Sequence, residues 1–230
     1  MNLDAHSVPV LTIDGPSGAG KGTICRMVAQ ATGFSLLDSG ALYRLTALAC
    51  LNGNIDLMSE VLAAEQAECL DVAFKVVGDG TQVLLSGEDV GSIIREERVG
   101  MAASKIAAYP KLRAALLDRQ RAFRAEPGLV ADGRDMGTVV FPDATSKIFL
   151  TASADARAHR RVSQLVSLGQ AADFEKILAD IVARDKQDTS RASAPLIAAD
   201  DALIVDCTSL SIQQVFDAVM ETLPSCQPCL

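Results

Sequence analysis

Hydrophobic positions along this chain fall into two rhythms, and their alternation predicts a fold before any motif is considered. Val8 to Asp14 is β-rich and almost continuously apolar, as expected of a strand buried on both faces of a parallel sheet. It runs straight into a glycine-rich segment, Gly15 to Gly22. From Lys21 to Thr32 the apolar residues Ile24, Met27, Val28 and Ala31 recur at helical spacing, and Gly33 stands where a helix C-cap is expected. Phe34 to Leu37 predicts a second short strand, closed by an Asp38-Ser39-Gly40 turn. The helix expected over Ala41 to Asn52 is broken by Asn52-Gly53-Asn54.

The pattern then changes. Asp71 to Val77 alternates in part, Gly78-Asp79-Gly80 is a turn cluster, Gln82 to Ser86 is again β-like, and Gly87-Glu88-Asp89 turns once more. These features predict a small antiparallel insertion. Helical spacing resumes over about Glu96 to Ala108 and over Lys111 to Arg124, with Pro110 suited to a helix start. Leu129 to Asp132, Lys147 to Thr151 and Ala202 to Asp206 are three further short apolar strands, and Ser211 to Leu223 is a last helix. Strands alternating with helices predict an α/β fold on a parallel sheet. Neither an internal repeat nor a low-complexity tract interrupts the pattern.

Composition narrows the class. The 230 residues are 49% hydrophobic and 22% charged, enough to bury one domain plus an insertion and incompatible with intrinsic disorder. A net charge of −8 argues against a general nucleic-acid coat or an anionic-membrane binder. Most of it lies between Asp56 and Asp89, where eight acids face Lys75 alone. Arginines gather over Arg95 to Arg134, Arg157 to Arg161 and Arg184 to Arg191, a pattern that suits either a grip on a small polyanion or solvated helix faces.

Six cysteines (Cys25, Cys50, Cys69, Cys207, Cys226, Cys229) lack the spacing of a disulfide framework and predict a reducing compartment. Cys226-Gln-Pro-Cys229 has redox or half-zinc spacing, but it follows Pro224 and has no second ligand pair nearby, so it reads as a non-functional tail. Met1 to Pro9 carries no basic region followed by an apolar core, and no apolar run approaches a membrane span, so a cytoplasmic protein is expected.

Gly15-Pro16-Ser17-Gly18-Ala19-Gly20-Lys21 matches the phosphate-binding G-x-x-x-x-G-K pattern, set between a buried strand and a helix N-terminus. Glycines let the backbone curl so that successive N–H groups converge on phosphate oxygens, the helix dipole adds favourable potential, and Lys21 brings a point charge to the terminal phosphates. The next residue is Gly22, and the hydroxyl that often ligates Mg²⁺ arrives one place later, as Thr23. Asp132, at a strand's C-terminal end, is placed to reach Mg²⁺ directly or through water, or else to form a structural Asp turn.

Other charged residues are candidates by position. Arg44 lies one helical turn beyond Asp38-Ser39-Gly40 and opens on the same sheet edge as the glycine loop. Gly133-Arg134-Asp135 ends another strand and reads as recognition or as a surface loop. Arg157, Arg160 and Arg161 share one helical segment, where like charges repel unless an anion approaches; a lid or a solvated basic face would show this pattern. Arg184, Asp188 and Arg191 at i, i+4 and i+7 share one helical face, which suits a sugar-phosphate grip or an ion-pair ladder.

Taken together, Gly15-Pro-Ser-Gly-Ala-Gly-Lys-Gly-Thr23, Leu37-Asp-Ser-Gly-Ala-Leu-Tyr-Arg44 and Ala131-Asp-Gly-Arg-Asp-Met-Gly-Thr138 closely resemble the bacterial cytidylate (CMP) kinases. Ala158-His-Arg-Arg161 and Arg184-Asp-Lys-Gln-Asp-Thr-Ser-Arg191 extend the resemblance along nearly the whole chain. It implies a three-layer phosphate-loop fold with a five-stranded parallel sheet, a small β-rich insertion and an Arg-rich lid. The kinase core would be 1–65 and 105–230, the lid about 153–172, and the monophosphate-binding insertion about 66–104.

The implied reaction is phosphorylation of CMP or dCMP by ATP with Mg²⁺, catalysed through Lys21, Asp132, Arg134, Arg157, Arg161 and Arg191. Residues 15–23 (Gly15 to Thr23) would bind ATP. Arg44, Arg134 and Arg191 would hold the CMP phosphate, Arg184 and Asp188 the sugar, with Ser39 beside them, while Ser104, Arg113 and Asp135 would read cytosine. Arg113 can donate to the base's carbonyl and ring nitrogen and Asp135 can accept from its 4-amino group, a pairing uracil would break. A monomer is expected, with no nucleic-acid polymer and no membrane as partner. Kinases of UMP or of small metabolites, and a nucleotide-switched module, share the loop. The chain lacks the Asn/Thr-Lys-x-Asp base-reading signature of such switches.

Overall fold

A computed structural model describes residues 8–77 and 80–223. Residues 1–7, the Gly78-Asp79 part of the expected turn cluster and Cys226-Gln-Pro-Cys229 lie outside the described residues. In chain order the first elements are β1 (Val10–Asp14), α1 (Lys21–Thr32), β2 (Ser35–Asp38), α2 (Ser39–Asn52), α3 (Glu60–Glu68), β3 (Val72–Val77), β4 (Gly80–Leu85) and β5 (Glu88–Asp89). After them come α4 (Glu97–Ile106), α5 (Pro110–Arg121), β6 (Leu129–Gly133), β7 (Ser146–Thr151), α6 (Ala154–Ser167), α7 (Phe174–Ser190), β8 (Leu203–Asp206) and α8 (Ile212–Met220). The chain divides into two compact units, Met1–Asp38 with Arg121–Leu230, and Ser39–Gln120.

The first unit is built on a five-stranded parallel sheet in the order β2-β6-β1-β7-β8. Central β1 is buried at every position, which its unbroken apolar run requires. On one face, Ile24, Cys25 and Val28 of α1 and Val215 and Val219 of α8 pack with Leu11, Ile13, Val130, Ile148, Leu150 and Val205 of the strands. Register sets the functional edge: Ile13 and Asp38 are both level with Asp132, and Asp14 is level with Gly133. Three strands therefore end together and bring Asp14, Asp38 and Asp132 to the carboxyl edge, where α/β sheets bind their ligands. The expected α/β fold and five-stranded parallel sheet are what the chain forms.

The second unit contains α2 to α5 and the antiparallel sheet β3-β4-β5. Ala41, Leu45 and Leu48 of α2 pack against Leu70, Val83, Leu85, Val90, Ile94 and Val99. The insertion expected over 66–104 falls inside this unit. Ser59 caps α3, its hydroxyl accepting from the Leu62 N–H at 3.4 Å.

Several local expectations are corrected. No turn separates β2 from α2, because Asp-Ser, favoured in turns, is favoured equally at a helix start, and α2 opens at Ser39 itself. The last turn of the insertion is Ser86-Gly87, with φ of 50° and 83°, leaving Glu88–Asp89 as a third strand on β4. Helix α3, rich in Ala and Glu without a clear apolar period, was not expected. After Asp135 the chain forms a π-helical turn, Met136–Val140, an element the hydrophobic pattern does not specify. Helix α7 ends at Ser190, so Arg191, with φ −60° and ψ 134°, leaves the helical face it was expected to share with Arg184 and Asp188.

Candidate active site

The phosphate loop forms between β1 and α1. At Gly15, φ is 145° and a Cβ would fall 1.9 Å from the Leu150 carbonyl oxygen, so the loop leaves β1 by a path only glycine can take. Gly18 and Gly20 have φ of 78° and 97°, bending the loop back into α1. Its carbonyls are held by side chains. Pro16 O accepts from Lys21 Nζ at 3.0 Å, Ser17 O from Arg157 Nη1 at 2.9 Å, and Ala19 O from Cys207 Sγ at 3.2 Å and Arg160 Nη1 at 3.4 Å. With these oxygens engaged, the amides of such a loop are the groups left to cradle an anion.

Lys21 is buried, and its Nζ stands 3.8 Å from Asp132 Oδ1. Burial pushes the ammonium down to about 8, and the positive charge of Arg134 pushes in the same direction. Asp132 is raised to about 6 by burial and by Asp38, against the pull of Lys21 and Arg134. A Cβ at Gly22 would lie 3.5 Å from Asp132 Oδ2. The position after Lys21, which carries no hydroxyl here, thus faces the carboxylate directly. Thr23 sits in the first turn of α1, its N–H donating to Gly20 O at 3.1 Å.

A second cluster assembles from β6 and α7. Arg134 Nε pairs with Asp188 Oδ2 at 3.0 Å, and Asp188 Oδ1 lies 3.8 Å from Arg191 Nη2. Arg191 Nε also donates to the Asp188 carbonyl at 3.3 Å. One buried carboxylate therefore holds two guanidiniums, with Arg184 one helical turn before it on α7. Asp135 is buried, and its carbonyl accepts from Val139 N–H at 2.9 Å and Val140 N–H at 3.2 Å within the π turn.

The α6 arginines do not share a single solvated face. Arg157, 3% exposed, donates through Nε to Ala152 O and through its terminal nitrogens to Ser17 O and to both oxygens of Asp185. Arg160 reaches Ala19 O and the carbonyl and sulfur of Cys207. Arg161 turns outward to Gln164 Oε1 at 2.8 Å. The expected repulsion is relieved because the three side chains diverge and Asp185, unremarked in the sequence, neutralises the most buried one.

Within the second unit, Ser39 donates to Gln120 Oε1 at 2.8 Å, both buried, and Arg44 Nη1 donates to Ile94 O at 2.8 Å. Gly100 lets Arg44 pass, since a Cβ there would stand 3.1 Å from Nη1. Arg113 lies over the Tyr43 ring, 5.6 Å from its centroid, and donates to Ala107 O at 3.2 Å. Ser104 lies in α4. Sequence reasoning missed Asp14, Asp185 and Gln120, which act through partners far along the chain. Burial raises the Asp14 carboxyl to about 6, although the Gly137 and Met136 N–H groups bind it. Among the described residues no helix is long and apolar enough to cross a membrane, and no three Asp, Glu, His or Cys side chains converge as a metal cage.

Comparison with known proteins completes the picture. The sequence profile of the family described as Cytidylate kinase matches residues 11–225. A cytidylate kinase of Aeromonas salmonicida is 58% identical, covering 92% of this chain and 92% of its own. One of Saccharophagus degradans is 58% identical over 92% of this chain and 95% of its own, and one of Klebsiella pneumoniae is 56% identical over 94% and 95%. With the phosphate loop, the Asp132 edge and these likenesses in hand, the chain belongs to the cytidylate kinase family.

Proposed function

We propose that this kinase transfers the γ-phosphoryl group of ATP to CMP and dCMP, giving CDP and dCDP, by in-line attack of a CMP phosphate oxygen. The observation that carries this reading is the convergence of charge on Lys21. Its ammonium stands 3.8 Å from Asp132, burial with the positive charge of Arg134 loosens its hold on the proton, and Asp188 joins Arg134 to Arg191. Cations gathered in this way suit a ligand that is itself polyanionic.

In this reading residues 15–23 cradle the ATP phosphates, and Lys21 with Arg161 stabilises charge on the migrating group. Arg157 contributes through the carbonyl of Ser17 that it grips. Arg44, Arg134 and Arg191 hold the CMP phosphate, Arg184 and Asp188 the sugar with Ser39 beside them, and Ser104, Arg113 and Asp135 read the base. Since the attacking oxygen is already ionised, no strong general base is needed. The insertion over about 66–104 serves the monophosphate and the segment over about 153–172, which holds α6, acts as the lid.

Mg²⁺ fits the residues present: Asp132 offers a hard oxygen facing Gly22, and Thr23 adds a hydroxyl, with phosphate oxygens and water completing the shell Mg²⁺ prefers. The ion would supply charge neutralisation on the phosphates. The enzyme is read as a monomer of the cytoplasm that engages neither membranes nor nucleic-acid polymers.

A coupled ADP-release assay with ATP and Mg²⁺ tests the reading, presenting CMP, dCMP, UMP, dTMP and AMP at equal concentration. Strong turnover of CMP and dCMP with much less for UMP is expected. Equal or greater UMP turnover would remove the base-reading roles of Arg113 and Asp135, and silence with every nucleotide would remove the reaction.

A further inference from the structure

Asp14 is the last residue of β1 and precedes the phosphate loop, yet it belongs to none of the motifs that carry the family resemblance. Its side chain is 5% exposed, and each carboxylate oxygen accepts its own backbone hydrogen bond. Oδ1 takes the Met136 N–H and Oδ2 the Gly137 N–H, both at 2.8 Å. These two amides open the π turn that follows Gly133-Arg134-Asp135. The far end of that turn is held by Arg121, whose Nε donates to Val140 O at 3.1 Å.

Packing leaves the turn no slack. A Cβ on Gly133 would fall 2.6 Å from Met136 Cγ, and one on Gly137 would fall 2.9 Å from Thr12 Oγ1. A side chain at Gly133 would displace the buried Met136, and one at Gly137 would press on Thr12 and Lys147. A buried anion without a cation on its oxygens is expensive to keep, so its retention asks for a reason. Chemistry supplies one. Only a carboxylate offers two acceptor oxygens on so short a stem. An asparagine in its place would turn an N–H donor toward one of the two amide donors.

We propose that Asp14 is a positioning residue for base selection: by pinning the Met136 and Gly137 amides it fixes the direction in which Asp135 presents its carboxylate to the cytosine 4-amino group. Because β1 runs directly from Asp14 into Gly15, the same residue locks the strand that launches the donor loop to the turn that reads the acceptor. The proposal rests on the cytosine-reading role given to Asp135 above.

The test is the ratio of kcat/KM for CMP to that for UMP, which does not depend on the fraction of a preparation that is folded. Wild type should favour CMP, and Asp135→Asn should lose that preference. Asp14→Asn should lower the ratio about tenfold, the effect of misaligning one hydrogen bond, while the KM for ATP changes less than the KM for CMP. A wild type indifferent to the base would remove the Asp135 reading and this proposal with it. Preference lost in Asp135→Asn but intact in Asp14→Asn would overturn the Asp14 proposal alone.

Should Asp14→Asn not fold, Asp14→Glu carries the same ratio, since it keeps both oxygens but moves them by a methylene; an unchanged ratio overturns the proposal. In the wild-type enzyme with a non-hydrolysable ATP analogue, CMP should slow amide exchange at Met136 and Gly137 more than UMP does. Equal exchange with both nucleotides overturns it as well.

Discussion

The phosphate loop and the arginine–carboxylate cluster around Asp188 belong to the same unit, and both are suited to bind phosphate, yet they are constructed on opposite principles. The loop is nine contiguous residues whose ligands are backbone amides. Its requirements are conformational, as at Gly15, where the Leu150 carbonyl leaves no room for a Cβ. The cluster is made of side chains from the end of β6, from α7 and from the residue after α7, and its requirement is charge balance: Arg134 and Arg191 share Asp188. A backbone site brings its geometry wherever the chain folds locally, whereas a side-chain site exists only once distant elements have packed. The loop should therefore be sensitive to its one charge, Lys21, and the cluster to the carboxylate that organises it.

Lys21 gives the largest expected break. Lys21→Met should lower turnover ~10²-fold or more, as removal of a preorganised transition-state charge does, while the KM for CMP changes little. Turnover within a few-fold of wild type would refute the electrostatic role. The same charge has the opposite effect on stability. Its folded pKa of about 8 lies below the ordinary 10.5, so the folded state binds fewer protons between these values. The ammonium thus destabilises the free fold below pH 8, a cost relieved as pH rises toward 10.5. The Tm of the wild type relative to Lys21→Met should rise as pH rises from 8 toward 10.5, and the wild type's affinity for ATP should fall as pH rises through 8. Calorimetry and a pH series of ATP binding check the two signs.

Asp188 sharpens the other side of the comparison. Asp188→Asn keeps the shape but leaves Arg134 and Arg191 without their shared anion, so the guanidiniums repel and splay. The KM for CMP should rise about tenfold, consistent with loss of one charge-assisted contact, with the KM for ATP nearly unchanged. A parallel rise in both constants would show that the cluster and the loop are not separable.

The same contrast explains what could be read from residues alone. The strand, glycine loop and helix at the start of the chain are local, so periodicity and spacing carried them, down to Gly33 as a left-handed C-cap with φ 74°. Parallel strands such as β6 announced themselves as apolar runs because both faces are buried. Asp14 gave no signal, because it reads as the end of a strand and its partners lie 122 and 123 positions on. Arg191 was placed on a helical face by counting i+7, but α7 stops at Ser190 and the arginine returns to Asp188 through an extended residue. The π turn after Asp135 was invisible since its two ends are held by Asp14 and Arg121, residues distant from it in the chain, beside its own internal bonds. Asp185 was hidden for the same reason, as an ordinary helix-surface acid until α6 packs on α7.

Asp185 carries the smallest expected effect, and it tests where the proposed lid would be hinged. Arg157 is buried and divides its donors between Asp185, the Ala152 carbonyl and the Ser17 carbonyl of the phosphate loop, whereas Arg161, one turn on, reaches outward to Gln164. If α6 moved as a whole to cover ATP, Arg157 would have to release a loop carbonyl and a carboxylate at every turnover. A lid built on α6 would then be anchored at Arg157 and Arg160 and would have to move beyond them, from Arg161 onward. Asp185→Asn then weakens the anchor without freeing it, because the two carbonyl bonds persist. The expected loss is about 1 kcal/mol, or roughly 2–4 °C in Tm for a chain of this length, with the KM for ATP raised no more than about threefold. Unchanged Tm together with faster turnover would mean the opposite, that the Arg157–Asp185 pair is a latch the enzyme opens in each cycle, and that the lid hinges before Arg157 and not after it.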